Sequence, residues 1–551
     1  MVDFAELKRA LSVVDSMRPK REKANGPAAT GGSLFDATGR RVIRHDPGQL
    51  PAIVDAVEIA LSESPEQNAF RYANQLARVY QADAPDDKNI KRPAGTLIVH
   101  HIEAALLQEL ACRAATHEKF DSRANSYKVF DCPRRVAEAF LARGHWPKIP
   151  ILTGFIETPT ISADGRIIDQ PGYDFETGLF SALLDTPGYK RPPAKPTKQE
   201  AQAAADRLLN LIETFPFVAD ADRAAMLAGL ISCIQRRLLP SAPIFCITAP
   251  SAGTGKTLLA ETLALVTTAR RASVISLGPD DSEFEKRLTG VALAGDSLIC
   301  VDNVERPVRG DLICQLASQQ IVRLRPLGGS VMRSVPSNSS IVATGNNLSV
   351  IGDLKRRVVM IRLDAKLERP ERRAFDRDHL ATVSERRGEI ITDCLTIVAA
   401  YLAAGKPKIE GLHVFGGFEH WDSMVRRPLV WLGLADPLLT CEDLREQDPD
   451  LEGMRLLFNA WFENFGETPT RGSDVLAAAL ATRLHPGDGD YFVNPDLRDA
   501  IQIICAEKLT SRRLGGWLRA HRDRIVDGFH LEHGGTDGHD KVVRWRLVKC
   551  G

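Results

Sequence analysis

Residues 249–257 read Ala-Pro-Ser-Ala-Gly-Thr-Gly-Lys-Thr, and this stretch decides the fold. It follows an apolar run, Pro243-Ile-Phe-Cys-Ile-Thr248, and opens a helix-patterned one, Leu258-Leu-Ala-Glu-Thr-Leu-Ala-Leu-Val266. Strand, glycine-rich turn and helix in that order are the setting a phosphate-binding loop requires. Gly253 and Gly255 let the backbone curl so that successive N–H groups point inward, and the helix N-terminus adds partial positive charge. The expected phosphate cradle comprises Pro250, Ser251, Ala252, Gly253, Thr254, Gly255, Lys256, Thr257 and Leu258. Lys256 is expected to reach the β- and γ-phosphates, and the Thr257 hydroxyl to ligate a divalent cation. Pro250 replaces the first glycine of the usual pattern; it stands at the mouth of the loop, so the cradle is retained. The stretch predicts a site for a nucleoside triphosphate.

Two later strands extend the pattern. Leu298-Ile-Cys-Val-Asp302 is four apolar residues ending in an acid. A buried parallel strand with a carboxylate at its C-terminal end is where a Walker B aspartate sits, holding Mg2+ through water. Many such sites place a glutamate directly after that aspartate to polarise the attacking water. Here the next residue is Asn303, and Glu305 is the nearest candidate base, with Glu283 and Glu285 more remote. Ser340-Ile-Val-Ala-Thr344 then leads into Gly345-Asn346-Asn347, and an amide at that strand end suits a γ-phosphate sensor, the role expected of Asn346. Further on, Asp353-Leu-Lys-Arg-Arg357 precedes the apolar strand Val358-Val-Met-Ile361. Arg356 or Arg357 could there serve as a finger acting on a neighbouring subunit's γ-phosphate.

The stretch before the sensor strand points to a polyanion. Residues 321–335 alternate apolar and basic side chains around Gly328-Gly329, a β-hairpin pattern. From 321 to 357 six basic residues (Arg323, Arg325, Arg333, Lys355, Arg356, Arg357) stand against one acid, Asp353. This is a local excess in a chain whose 71 Lys+Arg and 71 Asp+Glu cancel. It is an electrostatic footprint for a phosphate backbone, and Arg323, Arg325 and Arg333 are the candidate DNA contacts.

This order of motifs resembles the ring ATPases of the AAA+ group. It is most similar to superfamily 3 helicases and the helicase parts of phage and plasmid primase-helicases. The Asp164-Gly165 hairpin within Ile161–Ile168, and Gly172-Tyr-Asp174 after it, are similar to the segment preceding the ATPase in those mobile-element proteins. The likeness spans residues 150–365. It implies ATP and Mg2+ as cofactors, a hexameric ring of identical subunits, and a hairpin that projects into the central pore and drags single-stranded DNA. The function so implied is an ATP-dependent helicase or translocase in replication of a mobile element. Pro250, Asn303 and the lack of a recognisable primase module in the first 150 residues depart from the pattern, and a separate primase is a further expected partner. Two other readings stand beside it: an ATP-switched origin-binding initiator or helicase loader, and a regulatory or anti-phage ATPase whose winged helix recruits protein.

The C-terminal segment reads as a second nucleic-acid module. Residues 509–523 pattern as an amphipathic helix capped by Thr510 or Ser511, with Leu514, Trp517 and Leu518 inward and Arg512, Arg513 and Arg519 outward. Phe529–His533 and Val542–Val548 form a hairpin carrying Arg544. With a helix over 495–505, this resembles a winged helix-turn-helix, whose helix enters the major groove of duplex DNA while the wing touches backbone. His530, His533 and His539 read as wing residues rather than metal ligands.

The expected fold class is α/β: a P-loop NTPase (AAA+-like) parallel-sheet core, an N-terminal mixed α/β accessory domain and a C-terminal winged-helix domain. The expected boundaries are a flexible basic arm over 1–45, the accessory domain over 46–190, the ATPase domain over 197–405, a helical connector over 406–489 and the winged helix over 490–551. Helical periodicity dominates from 50 to 145, and 186–196 is a proline-rich linker. Helices are expected near 198–214 and 220–238, the second capped by Asp220 or Asp222. Ten scattered cysteines contain no C-x-x-C pair, so no zinc site or disulfide framework is indicated. No run approaches about 20 apolar residues, and the expectation is a soluble cytoplasmic protein with no membrane partner.

Overall fold

The computed structural model describes residues 35–550, except 65–67, 83–89, 184–185, 330, 374–377, 443–448, 486–488, 506–508 and 537–541. The basic stretch Arg18–Lys23 and His539 lie outside the described residues. The chain divides into two compact units, 1–440 and 441–551. Among the described residues no helix is long and apolar enough to cross a membrane.

The first unit is mixed α/β, built on a six-stranded sheet. Its strands are β1 (Ile90–Lys91), β2 (Ile244–Ala249), β3 (Ser273–Ile275), β4 (Leu298–Val304), β7 (Ser340–Asn346) and β8 (Val358–Arg362), in the order β8-β2-β7-β4-β3-β1. A separate antiparallel hairpin, β5 (Ile321–Leu324) and β6 (Arg333–Pro336), sits between β4 and β7 in sequence. Within the sheet every pairing is parallel except that of β3 with β1. Parallel strands need long crossovers, and these are supplied by helices such as α1 (Lys256–Thr268). The apolar runs read from sequence become strands because both faces are covered. Phe245, Ile247 and Ala249 of β2 join one core with the helices Lys198–Leu211, Asp220–Gln235, α1 and Arg387–Ala403, while Ile244 and Cys246 are buried on the other face.

Thr197 caps the first of these helices in a reciprocal pair with Glu200. The second differs from expectation: its N-cap is Ala219, and Asp222 lies inside the first turn. The Asp222 carboxylate accepts the Ala219 N–H at 3.0 Å and also holds Arg362. The expected linker at 186–196 is laid against the last helix. The Lys190 N–H donates to the Thr392 hydroxyl at 2.9 Å, and a Cβ at Gly388 would meet the Tyr189 nitrogen at 2.2 Å. Gly388 is therefore a close-approach glycine.

Residues 41–149 form a module with its own core, including Val54, Leu107, Val136 and Phe140. It holds strands the helical reading missed: Arg41–Arg44, Phe70–Tyr72, Gln75–Ala82, Thr96–His101, Ala115–Asp121 and Ser126–Val129. Arg41–Arg44 pairs in parallel with Ala115–Glu118, so the expected arm is structured by residue 41. The module is tied to the main sheet through β1, and next to it Arg92 grips Asp296 in a bidentate pair at 2.8–3.1 Å. Asp296 is fully buried and also accepts the Ser273 hydroxyl. The Asp164-Gly165 turn does join two short antiparallel strands, Thr160–Ile161 and Ile167–Ile168.

The second unit contains the helices Pro449–Phe465, Gly472–Leu480, Pro495–Cys505 and Ser511–Ala520, and a sheet made of Thr470–Arg471, Val543–Lys549, Phe529–Thr536 and Ile525–Val526. Met454, Leu457 and Trp461 share its core with Leu514, Leu518 and Leu547. The unit therefore begins at Cys441 rather than 490. The expected connector over 406–489 is divided between the two units, because the helix Pro449–Phe465 buries its apolar face on the C-terminal elements.

Candidate active site

The Ser251–Gly255 loop joins β2 to α1 and is held in a shape that only glycine tolerates. Gly253 and Gly255 have φ of +76° and +105°. A Cβ at Gly253 would lie 2.9 Å from the Glu371 backbone nitrogen, and one at Gly255 2.8 Å from a Phe215 ring carbon. Gly255 is the N-cap of α1 and offers no side-chain cap, so the first-turn N–H groups are left for another acceptor. Pro250 is exposed at the mouth of the loop. Lys256 folds back over it, its ammonium donating to the Ser251 carbonyl at 2.9 Å and the Thr254 hydroxyl at 3.4 Å. Burial lowers the pKa of that ammonium, and the charge of Asp302 partly offsets the shift. Thr257 and Leu258 are exposed on the first turn.

The order of strands brings the other groups to the same edge. β7 lies between β2 and β4, with Ala249 paired to Asn346 and Val304 paired to Gly345. Asn346 is therefore abreast of the residue that opens the loop, and it is exposed. Asp302 is not the last residue of its strand, as the sequence suggested. The strand continues through a bulge to Val304, with Asn303 in the left-handed region at φ +52°. A bulge re-aims side chains, and here it turns Asp302 toward β7. Its Oδ1 accepts a hydrogen bond from the Thr344 hydroxyl, which also accepts the Asn303 N–H at 3.4 Å. Glu305 is exposed and accepts the Asn303 side-chain amide at 2.7 Å. Gly345 is required by packing, since a Cβ there would meet the Val304 carbonyl at 2.6 Å.

These groups suit a magnesium nucleotide: a loop curled by two glycines, an uncapped helix N-terminus, a lysine, a hydroxyl and a half-buried carboxylate. Three further residues beside them belong to the site without being marked as such in the sequence. Thr344, the polar residue closing an apolar strand, orients Asp302. Phe215 and Glu371 close on the loop glycines, and only the fold brings them near.

Arg356 and Arg357 do not join this cluster. They precede β8, whose first residue, Val358, pairs with Ile244 at the far end of β2 from the loop. The Arg356 side chain is 68% exposed and paired with Asp353, whereas Arg357 is 14% exposed, held by Asp353 and Ser318. The β5–β6 hairpin arises at that same edge, since β6 runs through Ser337–Ser339 into the start of β7. Arg323 and Arg325 are exposed and Arg333 is half-buried; the tip carries Leu327, Val331 and Met332 in the open. The basic stretch is thus gathered at the edge opposite the loop.

In the second unit Thr510 caps the helix Ser511–Ala520, accepting the Arg513 N–H at 3.3 Å. Leu514 and Leu518 point inward, and Arg512, Arg513 and Arg519 are exposed. Trp517 is only half-buried, stacked on His521 at 4.1 Å. Arg544 differs from expectation: it is half-buried and paired in register with Arg471, and the outward arginine of that strand is Arg546.

No protein-family model matches the chain, and no curated protein sequence matches it. Among solved structures it is similar to the A form apo structure of the NrS-1 C-terminal region, at 15% identity and a TM-score of 0.32, over 80% of this chain and 98% of that one. It is also similar to JCV helicase, at 13% identity and a TM-score of 0.19, over 43% of this chain and 67% of that one. Likenesses this loose carry no functional assignment.

Proposed function

We propose that the protein is an ATP-dependent, ring-forming DNA helicase or translocase serving the replication of a mobile element. The observation that carries this reading is the division of the sheet. Lys256, Thr257, Asp302 and Asn346 gather at the C-terminal edge, while the basic hairpin and Arg356 gather at the opposite one. Loop N–H groups and Lys256 hold the β- and γ-phosphates of ATP. Mg2+, held by the Thr257 hydroxyl and the Asp302 carboxylate, would supply charge neutralisation to the phosphates. Thr344 keeps Asp302 oriented, and Asn346 positions the lytic water. Arg356 serves the site of an adjacent subunit in the ring, so hydrolysis depends on assembly.

Arg323, Arg325 and Arg333 then grip the phosphate backbone of single-stranded DNA. The C-terminal unit, read as a winged helix, offers Arg512, Arg513 and Arg519 to duplex DNA. Unwinding of a forked duplex by the purified protein tests the reading. ATP-dependent strand displacement that vanishes in the triple variant Arg323→Ala, Arg325→Ala, Arg333→Ala supports it; displacement unaffected by that variant refutes it.

One observation favours a second reading. Asn303 carries no carboxylate, and Glu305 is tied to it by a hydrogen bond. A site with a weak base hydrolyses slowly, which suits an ATP-switched loader or initiator. DNA binding that requires ATP, without strand displacement, would favour that alternative.

A further inference from the structure

Two adjoining recesses in the first unit, one reaching from the hairpin to the N-terminal module and the other continuing from it at Arg71, have no assigned role. The larger, about 650 Å3, has Gln320, Ile321 and Ser334 on its hairpin side and Arg71 and His145 on the other. The smaller, about 300 Å3, shares Arg71 as a wall and is lined by Lys148, Tyr173 and Phe175. Among the described residues no carboxylate lines either recess. In a chain with equal numbers of acids and bases, that is a one-signed surface. Four carboxylates of the described residues stand near the recesses and each is paired: Asp174 and Glu176 with Arg166, at 2.9 and 3.2 Å, Glu58 with Arg143 at 3.2 Å, and Glu63 with Arg41 at 2.5 Å.

The cations are held ready for an external anion. The Arg71 Nε donates to the Ile149 carbonyl at 2.7 Å, which anchors the side chain and leaves its Nη groups for a ligand. The Lys148 backbone N–H donates to buried Glu58 at 2.7 Å, fixing the loop while the side chain stays exposed.

Beside them stands an aromatic stack. Buried Phe70 stacks on Tyr173 at 5.6 Å, and Phe175 packs edge-on against Tyr173 at 4.9 Å. The Tyr173 hydroxyl donates to the Ile151 carbonyl at 2.6 Å, so the ring is fixed, and Phe175 is 70% exposed. A single exposed phenylalanine means little. One rooted through a second ring in the core, next to two cations and with its flanking carboxylates Asp174 and Glu176 both paired to Arg166, matches the chemistry of a single-stranded nucleic-acid platform: phosphates on the cations, a base on the ring face.

We propose that these recesses form one track for single-stranded nucleic acid, with Phe175 stacking a base and Lys148 and Arg71 holding its backbone. The track gives the N-terminal module a function: it hands the strand to, or receives it from, the β5–β6 hairpin. This rests on the reading that the hairpin engages DNA.

Anisotropy of a labelled 20-nucleotide oligo-dT with the full chain, over a salt series, tests it. Phe175→Ala should weaken binding about tenfold, and Phe175→Trp should restore it. Lys148→Ala should take about 0.7 off the log–log salt slope. Both side chains are exposed, and ATP hydrolysis without DNA should be unchanged in each variant. An oligo-dT carrying 4-thiothymidine should cross-link within 173–175 on irradiation. Wild-type affinity in both alanine variants, with affinity lost in the hairpin triple variant, overturns the track and leaves the helicase reading standing. Absence of oligo-dT binding by the wild-type protein overturns both.

Discussion

Replacing Arg356 with alanine separates a ring-dependent site from a self-sufficient one. Val358 pairs with Ile244, and the phosphate loop opens after Ala249, five residues further along β2. At about 3.3 Å per residue this is roughly 17 Å, more than an arginine side chain spans. The Arg356 side chain is 68% exposed and its ion pair with Asp353 is a surface pair, so its removal should leave the fold intact. A missing arginine finger costs about 10³–10⁵ in kcat, on the order of 4–7 kcal/mol of barrier. Steady-state ATP hydrolysis should therefore collapse in Arg356→Ala while nucleotide binding persists. Mixing it in equal amounts with Lys256→Ala should restore hydrolysis at about one interface in four, those where an intact loop meets an intact arginine. Wild-type hydrolysis by Arg356→Ala alone, or no recovery in the mixture, would refute the reasoning.

Three further outcomes follow from the geometry. Gly255→Ala faces both a φ of +105° and the Phe215 ring at 2.8 Å, a penalty of about 2–5 kcal/mol on the loop. Binding of a fluorescent ATP analogue should be lost, and adding Phe215→Ala should recover part of it. Glu305→Gln should slow hydrolysis about a hundredfold or more without loss of binding if Glu305 activates water; an unchanged rate assigns the base elsewhere. In the N-terminal core, His45 lies 2.8 Å from His117, and burial, with a smaller push from His117, lowers its pKa from 6.5 to about 4. The folded state disfavours the proton, so its full contribution is present above pH 6.5 and is lost as pH falls toward 4, about 3 kcal/mol in all. Thermal melts should fall over that window, and less steeply in His45→Leu.

What the sequence made legible was local. Glycines flanking Lys256 and apolar runs ending in polar residues located the loop and the strands beside it, because β-strands buried on both faces leave an unbroken apolar signature. The order of those strands did not follow from the runs themselves: that β7 separates β2 from β4 is a property of crossovers. The bulge at Asp302–Asn303 was hidden because asparagine suits any turn. In the N-terminal module, helical periodicity in 104–114 and 134–142 drew attention from Thr96-Leu-Ile-Val-His-His101, a β-branched run that pairs with Ala77–Ala82. The roles of Phe215, Glu371 and Thr344 could not be read from their own stretches of sequence, since they arise from contacts across forty residues or more.

The central claim is that Lys256 and Asp302 work on one nucleoside triphosphate. Measuring ATP binding and hydrolysis together for the wild type, Lys256→Ala and Asp302→Asn tests it most directly. Magnesium-dependent hydrolysis is expected of the wild type, and loss of hydrolysis in both variants without loss of fold. Asp302→Asn, whose loop and lysine are intact, should still bind nucleotide. Hydrolysis at the wild-type rate by either purified variant would contradict it.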